Sequence, residues 1–285
     1  MSNLSRDPTG PSPVHATTGA GRIEEALALA KRDGVMGVIP YLTVGYPNIE
    51  ATLQLVPALA EAGASVIELG VPFSDPLADG VTIQKATYHA LQQGVTPRSC
   101  LEVCARLRER SLGVPLVLMG YYNPIYAHGL EAFVRDAAAA GVAGLIVVDL
   151  PTEEAAPLQR ACEGQGVALI PLLAPTSTEQ RIAAACEKAS GFVYCISLTG
   201  VTGAREELPV GAADLVAAVR RSTSLPVAVG FGISRRPHAQ ALSAVADAVV
   251  IGSALIRVVE ESPEEQMVSA TQQFLKQFTG IHRPH

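Results

Sequence analysis

The sequence predicts an α/β fold, a (β/α)8 barrel of the TIM type with an additional N-terminal helix. Three observations carry that expectation. Eight short, almost continuously apolar runs rich in β-branched residues recur at 38–44, 65–70, 115–121, 143–149, 167–173, 192–197, 226–231 and 247–251. Such runs suit parallel strands covered on both faces. Helix-like segments separate them. The first run leads into Gly45-Tyr46-Pro47, and not into the glycine-rich turn that usually follows the first strand of an open, doubly wound sheet.

The elements follow in order. Residues 1–21 are rich in Ser, Thr, Pro and Gly and lack the apolar stretch of a signal peptide. They read as a disordered tail, which leaves 22–280 as a single catalytic barrel domain. In the helix at 22–32, Ile23, Ala26, Leu27 and Ala30 recur at i, i+3, i+4 and i+7. This helix is placed to close the barrel bottom. Asn48 caps a helix that runs to Ala62 and ends at Gly63, with Pro57 expected to kink it. A helix at 130–140 ends at Gly141. Thr176-Ser177-Thr178-Glu179 reads as a capping box for a helix to about Lys188. The exits Glu61-Ala62-Gly63-Ala64, Ala139-Ala140-Gly141-Val142 and Gly164-Gln165-Gly166-Val167 are alike, a weak repeat of one strand–helix unit.

Composition excludes several classes. Apolar residues make up 48% of the 285 and charged residues 17%, with a net charge of −6. That balance supports a large core and gives no electrostatic reason to bind nucleic acid or an anionic membrane. The longest apolar runs are strand-length, so no transmembrane helix is expected, and the chain reads as cytoplasmic. Five cysteines occur without a CxxC. Cys100 and Cys104 sit one helical turn apart, but buried thiols in a reducing compartment are the simpler reading. The six histidines show no ligand spacing, so no protein-bound metal is expected.

In a barrel of this type, chemistry gathers at the carboxyl ends of the strands. Glu68 lies inside the apolar Val66-Ile67-Glu68-Leu69-Gly70. A buried carboxyl there is either satisfied by a cation or backbone donor or serves as an acid–base group, with burial raising its pKa towards neutrality. Asp75 and Asp79 follow on a proline-stiffened loop. From spacing alone each is a turn residue or a positioned acid. Gly230-Phe231-Gly232-Ile233-Ser234 and Ile251-Gly252-Ser253-Ala254 follow the last two strands, where this fold commonly binds phosphate through backbone N–H groups at a helix start. Gly200-Val201-Thr202-Gly203 adds a glycine-rich loop after the sixth strand, either an ordinary surface loop or a lid.

The fourteen residues IELGVPFSDPLADG at 67–80 resemble the signature of the tryptophan synthase alpha subunit family. Pro40-Tyr-Leu-Thr-Val-Gly-Tyr-Pro47, Met119-Gly-Tyr-Tyr-Asn-Pro124, Val148-Asp-Leu-Pro151, Gly200-Val-Thr-Gly203 and Gly230-Phe-Gly-Ile-Ser234 resemble further family motifs in the same order. The resemblance covers about residues 20–277. It implies retro-aldol cleavage of indole-3-glycerol phosphate to indole and glyceraldehyde 3-phosphate. It implies Glu68 as the acid–base carboxyl and Asp79 as the carboxylate near the indole N–H. Asp75 is assigned to the contact with a partner subunit. Thr202 matches the family's loop threonine. Tyr41, Tyr121, Tyr194 and Phe231 would lie against the substrate, and Gly203, Gly232, Gly252 and Ser253 match the phosphate site. No cofactor is implied for this half reaction. Pyridoxal phosphate belongs to the beta subunit, the partner expected in an alpha2beta2 tetramer. Val81 departs from the family, where Pro is frequent.

Three other readings use the same residues. A free-standing lyase would keep the catalytic groups and need no partner. A binding and activating subunit would not need Glu68, Asp79 and Thr202 together. Another sugar-phosphate barrel, such as an isomerase, would share the glycine loops but not the fourteen-residue segment.

Overall fold

The computed structural model describes residues 18–196, 212–230 and 232–283. Its strand segments are β1 (Gly37–Thr43), β2 (Ile67–Gly70), β3 (Leu116–Gly120), β4 (Gly144–Val147), β5 (Ala168–Ile170), β6 (Leu172–Leu173), β7 (Val193–Ile196), β8 (Val227–Gly230) and β9 (Ala248–Ile251). Each lies within its apolar run or one residue away from it. Between and around them run α1 (Gly19–Arg32), α2 (Ile49–Glu61), α3 (Val81–Gln92), α4 (Pro97–Glu109), α5 (Tyr122–His128) and α6 (Leu130–Ala139). The second half carries α7 (Ala156–Gln165), α8 (Glu179–Lys188), α9 (Ala212–Ser222), α10 (Arg236–Leu242), α11 (Ser253–Glu261) and α12 (Glu264–Lys276).

All strand pairs are parallel, in the order β5-β4-β3-β2-β1-β9-β8-β7-β6. The two ends of that order, β5 and β6, are neighbours in sequence, separated only by Pro171. Proline has no N–H for the ladder, although its carbonyl still accepts from Tyr194 N at 3.0 Å. Ala168, Ile170 and Leu172 all pack into the barrel interior, so the two-residue alternation continues through the proline. β5 and β6 are therefore one barrel strand. It pairs with β4 before Pro171 and with β7 after it, and the expected eight-stranded barrel closes there.

The core has two parts, as a barrel requires. Outward strand residues such as Leu42, Leu69, Leu118 and Leu145 join the helix layer. Inward residues such as Ile39, Val66, Val117 and Phe192 fill the barrel together with Ile23 and Leu27 from α1. The N-terminal helix thus closes the bottom, as its periodicity predicts. It starts three residues earlier than expected. Thr18 caps it by accepting from Gly21 N at 3.1 Å. Gly19 lies so close to β4 that a Cβ there would come within 2.2 Å of Ala143 O. Residues 18–21, read as part of the tail, belong to this packed start. Residues 1–17 lie outside the described residues.

Two local expectations are refined. α2 continues through Pro57, and the Leu53 carbonyl that lost its i+4 donor is reached by Arg110 Nη1 at 3.4 Å. α8 is capped by Thr178, which accepts from Arg181 N at 3.3 Å, and not by Thr176. Ser177 instead accepts from Ala174 N at 3.1 Å, which turns the chain before the helix. All five cysteines are free and buried.

At the bottom of the barrel one buried acid joins four segments. Asp247, 4% exposed, accepts from Val227 N at 2.9 Å and Arg283 Nη1 at 2.8 Å. It also bonds Arg220 and lies 3.7 Å from Lys31 Nζ. Burial opposes its charge, but the Val227 and Arg283 hydrogen bonds and the Arg220 guanidinium outweigh burial and hold the carboxyl below its ordinary value. A depressed carboxyl contributes stability above its unfolded pKa of about 4 and loses it as pH falls through the folded value. Asp247→Ala is expected to cost about 3 kcal/mol at pH 7, because it leaves the buried Val227 N–H and the partly buried Arg220 and Arg283 guanidinium groups without their acceptor. Urea denaturation at pH 7 and again near pH 3 tests this, since the difference between variant and parent should shrink in acid. Equal midpoints at pH 7 would remove Asp247 as the tie.

Candidate active site

The barrel mouth is organised by the alternation along β1 and β2. Ile67 and Leu69 face the helix layer. Glu68 therefore turns inward, in register with Tyr41 on β1 and Val117 on β3. It is 1% exposed. Neither carboxyl oxygen has a hydrogen-bond partner among the described residues. Burial, reinforced by the nearby Asp79 charge, pushes its pKa up to about 8. The reading that a cation or backbone donor satisfies this acid finds no such group among the described residues.

Asp79 sits on the loop between β2 and α3, and that loop is fastened. Leu77 N donates to Asp75 O at 2.9 Å and Asp79 N to Pro76 O at 3.0 Å. The Gln84 amide of α3 donates to Asp79 O at 2.8 Å. Tyr121, just beyond β3, accepts from Ala78 N at 3.0 Å and donates to Asp79 Oδ2 at 3.2 Å. Burial raises the Asp79 pKa to about 6, against the Tyr121 hydrogen bond. Asp75 is exposed and takes the Ser74 hydroxyl.

Two inward tyrosines have matching settings. Tyr41 on β1 lies over Gly70, where a Cβ would be 2.0 Å from its hydroxyl oxygen. Tyr194 on β7 lies over Gly230, where a Cβ would be 2.5 Å from its hydroxyl oxygen. Only glycine at the tops of β2 and β8 leaves room for these rings. Burial raises both phenols well above their ordinary value, so both are neutral hydroxyls.

On the adjoining side of the mouth, Gly232 has a φ of +64°, and no described atom beyond its chain neighbours lies within 4 Å of where a Cβ would stand. Gly252 is the N-cap of α11 and offers no side-chain cap. Its carbonyl accepts from Leu255 N at 2.8 Å and Ile256 N at 3.1 Å. The earlier first-turn N–H groups, beginning with Ser253, have no intrahelical acceptor, and with the helix dipole they make a natural anion seat. Thr202, Gly203 and Phe231, three of the residues picked out in the sequence, lie outside the described residues.

The structure adds residues to which the motif reading gave no role. Thr43 is buried beside the Tyr41 hydroxyl, 3.3 Å away. Val148, Leu172 and Ile196 line one side of a cavity of about 410 Å³ that is also lined by Gln159 of α7 and by Arg181 and Ala185 of α8. Strict alternation from the inward Ile146, Ile170 and Tyr194 would have found those three, because each lies two residues further on.

The paired carboxyls allow a test independent of any substrate. An acid whose folded pKa is raised loses stability as pH climbs from the unfolded value of 4.5 towards about 8. Glu68→Gln is therefore expected to stabilise the fold by about 3 kcal/mol at pH 7, with the gain growing from pH 5 to pH 8 and level above that. Chemical denaturation across that range reads it. A gain that does not depend on pH would mean that Glu68 titrates normally.

Comparison with known proteins shows the family to which the chain is related. The family model described as tryptophan synthase alpha chain matches residues 27–282. The tryptophan synthase alpha chain of Chloroflexus aggregans is 48% identical over 265 residues, covering 93% of this chain and 99% of the relative. That of Dehalococcoides mccartyi is 49% identical, covering 84% and 94%. Among solved structures, Mycobacterium tuberculosis tryptophan synthase superposes with a TM-score of 0.85 at 37% identity, covering 93% of this chain and 99% of that one. The tryptophan synthase a2b2 complex of Pyrococcus furiosus gives 0.81 at 41% identity, covering 86% and 98%. From the extent of these matches, the chain belongs to the tryptophan synthase alpha chain family.

Proposed function

We propose that Glu68 and Asp79 divide the acid–base work of this chain between them. The reaction is the lyase step of the family, retro-aldol cleavage of indole-3-glycerol phosphate. Indole is a poor carbanion, so C3 of the ring is protonated first, giving an indolenine that can accept the electrons of the breaking bond. The side-chain hydroxyl then loses its proton as the carbon–carbon bond breaks. Indole and glyceraldehyde 3-phosphate leave, and the proton count closes on one carboxyl that first gives and then takes.

The observation that carries the assignment is the separation of the two acids. At pH 7 a carboxyl with a pKa of about 8 is protonated and ready to donate, while one at about 6 is mostly ionised. This is the pattern expected when one site needs both an acid and an anion. Glu68 is the proton donor to C3 and then the base for the hydroxyl. Asp79 stabilises the positive charge that develops at the indole nitrogen. Tyr41, Tyr121, Tyr194 and Phe231 wall the ring, and Thr202 belongs to the loop over the site. Gly203, Gly232, Gly252 and Ser253 hold the phosphate, for which the uncapped start of α11 is suited.

This chemistry needs no cofactor from the alpha chain. Pyridoxal phosphate belongs to a beta subunit, the partner with which we place this chain in an alpha2beta2 assembly like that of the Pyrococcus complex. The exposed loop bearing Asp75 is the candidate contact, because Leu77 beside it is 92% exposed and Val81 is 70% exposed. No helix among the described residues is long and apolar enough to cross a membrane, in keeping with a cytoplasmic enzyme.

Indole release from indole-3-glycerol phosphate, with and without a beta subunit, tests the whole reading. Slow release alone and a large gain with beta are expected. Fast release that beta leaves unchanged would indicate a free-standing lyase, and no release in either condition would indicate another phosphate substrate. Glu68→Gln should lower turnover at least about 10³-fold while inorganic phosphate still binds. Near-normal turnover would refute the acid–base role. Asp79→Ala should cost the isolated reaction more than Asp75→Ala, and the reverse order would exchange their roles.

A further inference from the structure

Two stretches of the family-like motifs carry no group used in the chemistry: Tyr122-Asn123-Pro124 after β3, and Val148-Asp149-Leu150-Pro151 after β4. The fold brings them together around one residue. Tyr121 stands between Gly120, the last residue of β3, and Tyr122, the first of α5, with an extended backbone at φ −109° and ψ 155°. On one flank, Val148 N donates to Gly120 O at 3.0 Å. On the other, Tyr122 N donates to Asp149 Oδ1 at 2.7 Å. Two consecutive residues beyond β4 therefore clamp the chain on both sides of Tyr121.

Tyr122 N belongs to the first turn of α5, where no intrahelical acceptor exists, and the N-cap Tyr121 supplies no side-chain acceptor. The Asp149 carboxylate is exposed and could be hydrated instead. Among the described residues this is its one hydrogen bond, and it forms no ion pair, although Arg181 and Lys188 line the same cavity. The bond thus serves the segment it holds more than the acid that accepts it. That segment aims the buried Tyr121 ring. The ring packs on Phe73 with centroids 5.2 Å apart, and its hydroxyl meets Ala78 N at 3.0 Å and Asp79 Oδ2 at 3.2 Å. The ionisable groups around Asp79 are Tyr121, Glu68 on β2, Tyr41 on β1 and Tyr194 on β7, while α3 brings the Gln84 amide to the Asp79 carbonyl. Among the described residues, Tyr121 alone hydrogen-bonds the carboxylate.

We propose that Asp149 is a positioning residue for the cleavage, which fixes the backbone of Tyr121 so that the phenol holds Asp79 in place. The inference rests on the reading that Asp79 acts as an anion at the indole nitrogen. Asp149 touches no reacting atom. It acts through two hydrogen bonds, at 2.7 Å and 3.2 Å, joined by the peptide between Tyr121 and Tyr122. The sign of its effect is distinctive. Loss of the tie loosens the donor to Asp79 and raises the pKa of that acid, whereas loss of the Asp149 charge by itself would lower it.

The test is the pH profile of indole-3-glycerol phosphate cleavage, measured on the chain alone and on its complex with beta subunit. In Tyr121→Phe the acid limb of kcat should move up by about one pH unit, the loss of one hydrogen bond to a charged group. Asp149→Ala should move the limb the same way by about half as much, with KM little changed, in the chain alone as in the complex. Asp149→Asn keeps an acceptor oxygen and drops the charge, and should leave the limb in place. The double variant of Tyr121→Phe and Asp149→Ala should shift no further than Tyr121→Phe. An unmoved limb in Asp149→Ala overturns the inference, and so does an equal shift in Asp149→Asn or additivity in the double variant. A defect seen only in the complex also overturns it, by making Asp149 a partner contact. Asp79→Asn separates the two levels of argument. If it abolishes the acid limb while Asp149→Ala leaves the limb unmoved, only the positioning role fails. If the limb survives in Asp79→Asn, the reading of Asp79 itself fails and the inference goes with it.

Discussion

Closure of a parallel sheet is the constraint on which the rest of this molecule depends. Once β5 and β6 join the two ends of the sheet through Pro171, every strand must place alternate residues inside, and none can slip by one without reversing its faces. Leu69 cannot leave the helix layer, so Glu68 cannot leave the interior. The same rule sends Tyr41, Thr43, Tyr194 and Leu172 to the mouth. The site is thus a consequence of register, fixed by apolar packing that has no chemical role of its own.

That packing also explains how an acid survives there. A fully buried carboxylate without a donor would cost several kcal/mol, and the group avoids the cost by remaining protonated. Asp79 differs because it is only half-buried and is bonded by Tyr121. Two carboxyls of one loop and strand therefore separate in acidity, and the physical reason is the difference in their solvation. Glu68 remains neutral because no described residue answers its charge, and Asp79 ionises more readily because a phenol does.

The two ends of the barrel answer to different demands. At the bottom, α1 fills the interior with Ile23 and Leu27, and Asp247 is met by a backbone N–H and several cations. Each polar atom of that carboxylate is answered, which favours stability. At the top the polar groups are held apart: Glu68 has no partner among the described residues, Gly232 has a left-handed backbone, and α11 opens without a side-chain cap. Unanswered donors and acids are what a substrate can complete, and this division between a stable bottom and an active top is general in the fold.

The sequence by itself determined the barrel, the closing helix and the places of the two candidate carboxyls. Apolar runs, the i, i+3, i+4 spacing from Ile23 and the stretch around Glu68 and Asp79 are all local signals, and local propensity is encoded within a few neighbouring residues. It misjudged what depends on exact ends, such as the cap at Thr178 and the helix start at Thr18, because competing hydroxyls along a loop are chosen by packing. Only the tertiary structure decided that Tyr121 holds Asp79 from 42 residues away, that Gly70 makes room for the Tyr41 hydroxyl, that Thr43 meets it, and that Arg220, Arg283 and Lys31 converge on Asp247. Those contacts join segments that are remote along the chain. Their geometry is set by strand register and barrel closure, which no short stretch of sequence contains.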